Sequence, residues 1–546
     1  MTDTLSNLAT SRRSLVIGGG LGLAAMSLGL TSCSSDGGGG GKGAPKPTGP
    51  TREFSAGPSA DGTPVKGGTL RIGVFGGNPA ETLNPQVAVS IADNMRLYNL
   101  FEPLFAAGPD GSLTPKLATD AVSNDKADVW MFHLRKGVTW HDGKPFTADD
   151  VVFTIKNSWG APTNYFNACL ANIVDFGNVA KLDAFTVKVP LKLPIADFPS
   201  VTAFPNLYII QDGTTDFTLG VGTGPFALQS FKPGSSSTFT ANANHWREGG
   251  VHVDELIINS SFQTEESRFN ALLAGDLDIV PQALPSLAAA NASDGRIVLG
   301  HQPGPAMLPM IMRVDKGSLS NPQIRQALKM IPDREVFVSN VYNGYASATN
   351  DAPGRTDKYW AEDLVQPQDL EQAKSLLKAA GAENFEVELR TSTVVAGMNE
   401  TATLFKQQAK GAGVNVNLKT YTPATYYSAE AGVFDRDFCL DFAAQGMNSL
   451  ALFYMTWMLP GAPYNQSFYG GDEADKTLML DAMGETDEAA AADKWHAVQE
   501  GQVKDGPYII PAAQNWLDAY GENVRGVQTT TAYTCNGYDF ASAWLV

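Results

Sequence analysis

Side chains that could carry acid–base or metal chemistry are scattered along this chain of 546 residues. Its six histidines show no spacing typical of metal ligands: His133, His141, His245, His252, His301 and His496. The chain contains no H-E-x-x-H zinc motif, no G-x-S-x-G nucleophile motif and no G-x-x-x-x-G-K-[ST] phosphate loop. His141-Asp142 has the letters of a catalytic pair but stands beside a turn. We therefore predict a protein that is not an enzyme and that has no metal site and no cofactor.

A hydrolase remains a less favoured alternative, because catalytic triads assemble from residues that are far apart in sequence. The cysteines do not help to decide. Cys169, Cys439 and Cys535 lie far apart and form no C-x-x-C pattern. Two of them could form one disulfide in an oxidising compartment, with one thiol left over. Three isolated buried thiols are the other interpretation.

The elements that would position functional groups are clearest between Trp130 and Thr154. The alternating hydrophobic pattern of Trp130–Arg135 predicts a half-buried strand. Asp142-Gly143 predicts a tight turn, because glycine adopts a positive φ without steric cost. Thr147 and Asp150 form an acidic variant of the capping box, so a helix should begin directly after Thr147.

As a string, LRKGVTWHDGKPFTADDVVFT at residues 134–154 resembles the signature of the family 5 extracytoplasmic solute-binding proteins. The later Gly222–Phe226, GTGPF, is similar to a turn that recurs in that family. The resemblance covers roughly Gly67 to Val527. It implies the receptor of an ABC importer for a peptide, a nickel chelate or an oligosaccharide.

The resemblance also implies an α/β, two-lobed fold like that of periplasmic binding proteins, with mixed sheets, a hinge and a ligand cleft between the lobes. We expect the chain to cross between lobes near His301–Val314 and again near Gly506–Pro511. The expected division, in residue numbers, is 66–300 for the first lobe with an extra subdomain around 115–215, 301–507 for the second lobe, and 508–546 for the return to the first.

The N-terminal part predicts export. Residues 1–32 are expected to be a targeting segment, in which Ser11–Val16 resembles a twin-arginine signal. The apolar run at 15–30 is short for a membrane span, which needs about 20 apolar residues. Leu30–Cys33 matches a lipobox, so Cys33 should carry a lipid that anchors the protein at the outer face of the cytoplasmic membrane. Residues 33–65 are expected to be a flexible tether.

Composition limits the partners. A formal net charge of −18 argues against nucleic acid, which requires lysine and arginine clustered along one face. With 43% hydrophobic residues the chain should be an ordered globular protein, and its length predicts two or three domains. We expect a monomer whose partners are a small-molecule or peptide ligand, ABC permease subunits, and the membrane through the lipid.

Ligand contacts should come from both lobes, since a closed cleft encloses its solute. The candidates, selected from the resemblance, are Asn84, Thr223 and Gly224 in the first lobe and Arg390, Ser392, Asp441 and Phe442 in the second. Asn84 has an alternative interpretation as an ordinary turn residue before proline. Phe442 falls where the family often has tryptophan, and its alternative is core packing.

One departure from the family concerns the ligand. Peptide-binding members commonly use an aspartate shortly after the aromatic residue to hold the peptide α-amine. Here that position is Ala444, with Gln445 next to it. Asp441, on the other side of the aromatic residue, could compensate. Peptide is the favoured ligand, and the alternatives are a nickel chelate, an oligosaccharide, or a surface sensor that presents its ligand to a partner other than a permease.

Overall fold

The computed structural model describes residues 52–59, 61–109, 111–164, 167–204, 206–428, 436–441, 449–470, 473–531 and 533–546. Its strands are β1 (Thr69–Phe75), β2 (Phe105–Ala107), β3 (Leu113–Pro115), β4 (Ala118–Ser123), β5 (Val129–Leu134), β6 (Ala180–Asp183), β7 (Thr186–Pro190), β8 (Phe226–Lys232), β9 (Ser236–Ala241), β10 (Glu255–Phe262), β11 (Ile279–Val280), β12 (Ile297–Met307), β13 (Met310–Met312), β14 (Ala346–Ala348), β15 (Glu386–Ser392), β16 (Asn415–Tyr421), β17 (Phe438–Leu440), β18 (Tyr508–Ile509), β19 (Ala512–Gly521), β20 (Val524–Arg525) and β21 (Trp544–Leu545).

The helices cover the sheets. They are α1 (Ile91–Leu100), α2 (Ala148–Thr154), α3 (Asn167–Ile173), α4 (Phe198–Thr202), α5 (Glu265–Leu273), α6 (Pro285–Ala290), α7 (Pro322–Lys329), α8 (Arg334–Tyr342), α9 (Leu370–Ala379), α10 (Met398–Ala409), α11 (Pro423–Tyr426), α12 (Leu450–Trp457), α13 (Glu473–Gly484) and α14 (Glu488–Asp505). In the part of the chain that the structure describes, none of them is long and apolar enough to span a membrane.

The molecule is built around two main sheets, each of which has both parallel and antiparallel pairs. Within the described residues the first sheet has eight strands in the order β12-β19-β11-β1-β10-β9-β8, with β14 also paired to β19. The second has the order β16-β15-β17-β13-β18. In each, parallel pairs (β1 with β10, β15 with β16) adjoin antiparallel ones. Each sheet contributes to its own buried apolar cluster, so the mixed α/β architecture expected from the resemblance is confirmed.

The residues of the signature stretch fold as their local pattern predicts. Strand β5 lies in an antiparallel sheet of order β4-β5-β7-β6, which spans residues 118–190. Gly143 has φ +84° in the turn. Thr147 caps α2, and its backbone N–H donates to Asp150 Oδ2 at 2.8 Å. The strand, the turn and the capped helix are all confirmed.

Two of the points at which the described chain passes between the two main sheets lie near the expected hinge segments. Leu308-Pro309 separates β12 from β13, and Ile510-Pro511 separates β18 from β19. Both points lie inside the expected segments. However, a division after residue 300 would cut β12, which pairs with β19 as far as Met307. Strand β14 also pairs with β19, although it lies within the expected second lobe. The apolar pattern runs unbroken through both crossings, so hydrophobicity alone does not place them.

The second crossing is held by buried charged groups. Ile510 N–H donates to Asp351 Oδ1 at 2.7 Å, and Arg334 Nη1 donates to Ile510 O at 2.7 Å. Asp351 also pairs with Arg334 at 3.0 Å and with Lys329 at 3.5 Å. Lys329 Nζ in turn donates to Tyr508 O. Strand β18 and the residue after it are therefore fixed to α7 and α8 by hydrogen bonds to largely buried charged side chains.

Some of the residues expected to be a flexible tether, 33–65, contact the folded protein. Ser55 forms an antiparallel bridge with His301 on β12, with N–O distances of 2.8 and 2.6 Å. The ring of Phe54 lies 5.1 Å from that of His301, and Thr529 N–H donates to Ala56 O at 2.8 Å. The prediction of a flexible chain is wrong for these residues, because the exposed edge of β12 offers backbone partners that composition does not reveal.

The three cysteines of the described region are free and buried. The interpretation as isolated thiols is therefore the correct one of the two that the sequence left open. Burial raises the pKa of Cys169 and of Cys439 to about 12 in each case.

Candidate functional site

Three of the predicted ligand residues meet at one edge of the second sheet. Strands β15 and β17 are parallel neighbours in which Arg390 pairs with Cys439. Ser392 and Asp441 each lie two residues beyond that pair, so they share the edge where both strands end. Asp441 N–H donates to Pro309 O at 3.2 Å, which brings this edge to the first crossing. Side chains at such a place would sense any rotation of one sheet relative to the other.

Asp441 is nearly buried, with 3% of its surface exposed. Tyr427 Oη donates to its Oδ1 at 2.7 Å, and Gln466 Nε2 donates to its Oδ2. Burial first, and then the charge of Asp441, raises the pKa of Tyr427, so the phenol stays protonated and keeps donating.

The neighbouring residues have local partners. Ser392 is fully buried, and its Oγ accepts the N–H of Val394 at 3.1 Å. Arg390 Nε donates to Glu388 Oε1 at 2.9 Å on the same strand. Phe442 lies outside the described residues, as do Ala444 and Gln445 and the segment Gly432–Asp435 that helped to place it.

In the first lobe, Thr223 and Gly224 belong to a turn that packs against the end of α1. Gly224 N–H donates to Leu100 O at 2.9 Å. A Cβ at Gly224 would lie 2.4 Å from Asn99 O, and one at Gly222 would lie 1.7 Å from Leu100 O. Thr223 is 1% exposed, and its hydroxyl has no hydrogen-bond partner within the described part of the chain. The glycines of GTGPF are required for close backbone packing here.

His141 joins this turn to the signature stretch, a contact that sequence reasoning missed. Gly222 N–H donates to His141 Nδ1 at 3.2 Å, and His141 Nε2 donates to Gly224 O at 3.0 Å. Burial lowers the pKa of His141, which favours the neutral ring that this pattern of one donor and one acceptor needs. Asp142 instead accepts a hydrogen bond from Gln211 Nε2 at 3.1 Å, so His141 and Asp142 have different partners.

Asn84 closes a local turn, since its Oδ1 accepts the N–H of Gln86 at 2.9 Å. The loop before it is anchored by Glu81, which forms a buried ion pair of 2.8 Å with Arg96 and accepts the N–H of Gly234 at 3.0 Å. The turn interpretation therefore describes the backbone around Asn84. Its contact with a ligand stays a prediction.

Comparison with known proteins agrees with this architecture. Residues 112–463 match the model of the bacterial extracellular solute-binding proteins, family 5 Middle. Heme-binding protein A of Haemophilus influenzae is 27% identical over 369 residues, which are 62% of this chain and 66%, just under two thirds, of that protein. The dipeptide-binding protein of Escherichia coli is 28% identical over 380 residues, covering 63% of this chain and 70% of the relative.

The fold has a close counterpart among solved structures. The periplasmic binding protein DppA of Helicobacter pylori, in complex with the peptide STSA, superposes with a TM-score of 0.73 at 20% identity and covers 88% of this chain and 98% of its own. The family model spans more than half of the sequence, and its limits include the signature stretch, the GTGPF turn and the edge that carries Asp441. This chain therefore belongs to the bacterial extracellular solute-binding proteins of family 5.

Proposed function

We propose that this protein captures a peptide between its two main sheets and delivers it to the permease of an ABC importer. The observation that carries the proposal is the position of Ser392 and Asp441 beside the first crossing. A ligand held there would couple directly to closure about the crossings. The names of the dipeptide-binding relative and of the peptide-bound DppA structure support a peptide as ligand.

Asp441 is the group proposed to receive the peptide α-amine. An ammonium taken out of water is costly unless a carboxylate or several acceptors replace its hydration. Asp441 supplies the charge, and Tyr427 and Gln466 hold the carboxylate in place through their hydrogen bonds. The protein is further proposed to reach its site as an exported lipoprotein that is anchored through Cys33.

Native mass spectrometry of the purified protein would first identify the bound solute. Calorimetry would then compare its binding to Asp441→Asn with binding to Asp437→Asn, a matched control, because Asp437 is exposed just before β17. Loss of a buried counter-charge typically costs about 2–5 kcal/mol of binding free energy, which is more than tenfold in affinity. N-acetylation of the peptide should have a similar effect on the parent protein.

The outcomes separate the ligand from the receptor function. A peptide that binds Asp441→Asn as tightly as the control would contradict the role of Asp441. If the bound solute were a sugar or a metal chelate, the peptide assignment would be wrong and the receptor function would stand. Absence of any bound solute, together with no reduction of the radius of gyration by candidate solutes in small-angle scattering, would contradict the receptor itself.

A further inference from the structure

The loop between α12 and α13 contains a residue whose backbone conformation is rare for its type. Phe468 has φ +57°, which lies in the left-handed region. Glycine adopts this region without steric cost, whereas a bulky side chain there has to be held by its surroundings. If the loop needed only the turn, glycine would form it without strain. The phenylalanine therefore indicates that its ring has a role of its own.

The ring of Phe468 packs against the flat face of a guanidinium group. Arg313, the residue that follows β13, has its Cζ 4.0 Å from the ring centroid. Its Nε and Nη2 donate to the two oxygens of Asp315 at 2.6 and 3.0 Å, which fixes the plane of the guanidinium. Arg313 is 8% exposed, so most of this contact is shielded from water. Arg313 and Phe468 are called the clamp below.

The backbone beside the clamp is fixed as well. Val314 N–H donates to Ser467 O at 2.9 Å, which joins the loop to the segment after β13. Ser467 is fully buried, and its Oγ donates to Asn465 Oδ1 at 2.8 Å and accepts the N–H of Tyr469 at 3.2 Å. Asn465 Nδ2 in turn donates to Tyr469 O at 2.8 Å. The residues on both sides of Gln466 are therefore held in one arrangement.

Gln466, two residues before Phe468, bonds two residues of one chain segment, β17 and its continuation. Its Nε2 donates to Asp441 Oδ2, and its Oε1 accepts from Cys439 Sγ at 3.7 Å. Because a thiol donates and a carboxylate accepts, these partners fix which end of the amide faces Asp441. Gln466 is 6% exposed. Its reach to Asp441 depends on the direction in which the loop presents it.

We propose that Phe468 is a positioning residue of the ligand site. Held on Arg313, it turns the loop so that Gln466 reaches Asp441 and keeps the carboxylate where a ligand amine would meet it. Phe468 thus acts through Gln466. The inference rests on the proposed function, in which Asp441 receives the amine.

Nuclear magnetic resonance on the full chain with isotope-labelled glutamine tests the positioning without a ligand. The side-chain amide signal of Gln466 is assigned by its loss in Gln466→Glu. Asp441→Asn then shows how far this signal moves when the acceptor loses its charge. Phe468→Val removes the ring and disfavours the left-handed conformation, which is an outlier for a β-branched residue. We expect Phe468→Val to move the signal at least as far as Asp441→Asn does, because the hydrogen bond is lost rather than weakened.

Three further variants separate positioning from a general loss of structure. Phe468→Tyr keeps the ring and should leave the signal close to that of the parent protein. Arg313→Lys keeps a cation for Asp315 but not the flat face, so it should move the signal in the same direction as Phe468→Val. Phe54→Val is the matched control, because it makes the same change at a ring that is 50% exposed beside His301 on the other main sheet. It should not move the signal.

The outcomes decide for or against the clamp. A Gln466 signal of folded Phe468→Val that coincides with the parent signal would overturn the proposal. If Phe468→Val does not fold, a parent-like signal in Arg313→Lys overturns it instead. A Phe468→Tyr signal displaced as far as that of Phe468→Val would overturn it as well. None of these spectra requires a ligand, so failure of the clamp is distinguishable from failure of the peptide assignment, which calorimetry on Asp441→Asn tests.

Discussion

Gly224→Ala tests whether the GTGPF turn acts by packing or by touching ligand. The added Cβ would lie 2.4 Å from Asn99 O and 2.7 Å from both Leu100 C and Leu100 O. All three atoms are backbone atoms at the end of α1, so no side chain can rotate away to relieve the overlap. The turn would have to move, which would disturb the Gly224–Leu100 hydrogen bond and the contact with His141.

Overpacking of a close contact costs about 1–3 kcal/mol, and the loss of one hydrogen bond adds about 1 kcal/mol. We therefore expect Gly224→Ala to lower the free energy of unfolding by about 2–4 kcal/mol, which combines these two costs. Urea unfolding followed by tryptophan fluorescence measures this quantity. Gly295→Ala is the matched control, because a Cβ there meets nothing within 4 Å, and its effect should stay within about 0.5 kcal/mol.

Ligand binding by the folded fraction completes the experiment. Packing predicts that stability falls while the affinity of the molecules that remain folded changes little. If Gly224→Ala unfolded at the same urea concentration as Gly295→Ala but lost its ligand, the packing argument would be refuted. The turn would then be a ligand contact, as the family resemblance implies.

Two further changes probe the crossing and the anchor. Asp351→Asn should lower the free energy of unfolding by about 3–5 kcal/mol, because Lys329 and Arg334 would keep buried charges without their carboxylate. Urea unfolding measures this loss, with Asp437→Asn at an exposed position as the control. Equal stabilities of the two variants would contradict the prediction. Cys33→Ala should release the folded protein into the soluble fraction or block its processing, because the acyl chains that give stable anchoring would lose their attachment site. A variant that is still acylated and sediments with membranes would disprove the lipobox assignment.

Local structure was predictable wherever neighbouring residues determine it. The capping box of Thr147 and Asp150, the turn at Gly143, and the helix that follows Asn321-Pro322 all depend on contacts within four residues. Asp369 caps α9 and Gly381 follows that helix with φ +67°, again as their residue types predict. Backbone sterics and orphan N–H groups act over this short range in any fold, so the sequence carries the information in full.

Contacts between distant segments were decided only by the tertiary structure. His141 meets Gly222, which lies 81 residues later, and Ser55 meets the edge of β12. The crossings at Leu308-Pro309 and Ile510-Pro511 likewise depend on which strands pair and how far each sheet extends. By itself the sequence determined the family, the caps and the turns. Which side chains meet was decided by packing, because burial and electrostatic coupling depend on distances in space that no local pattern encodes.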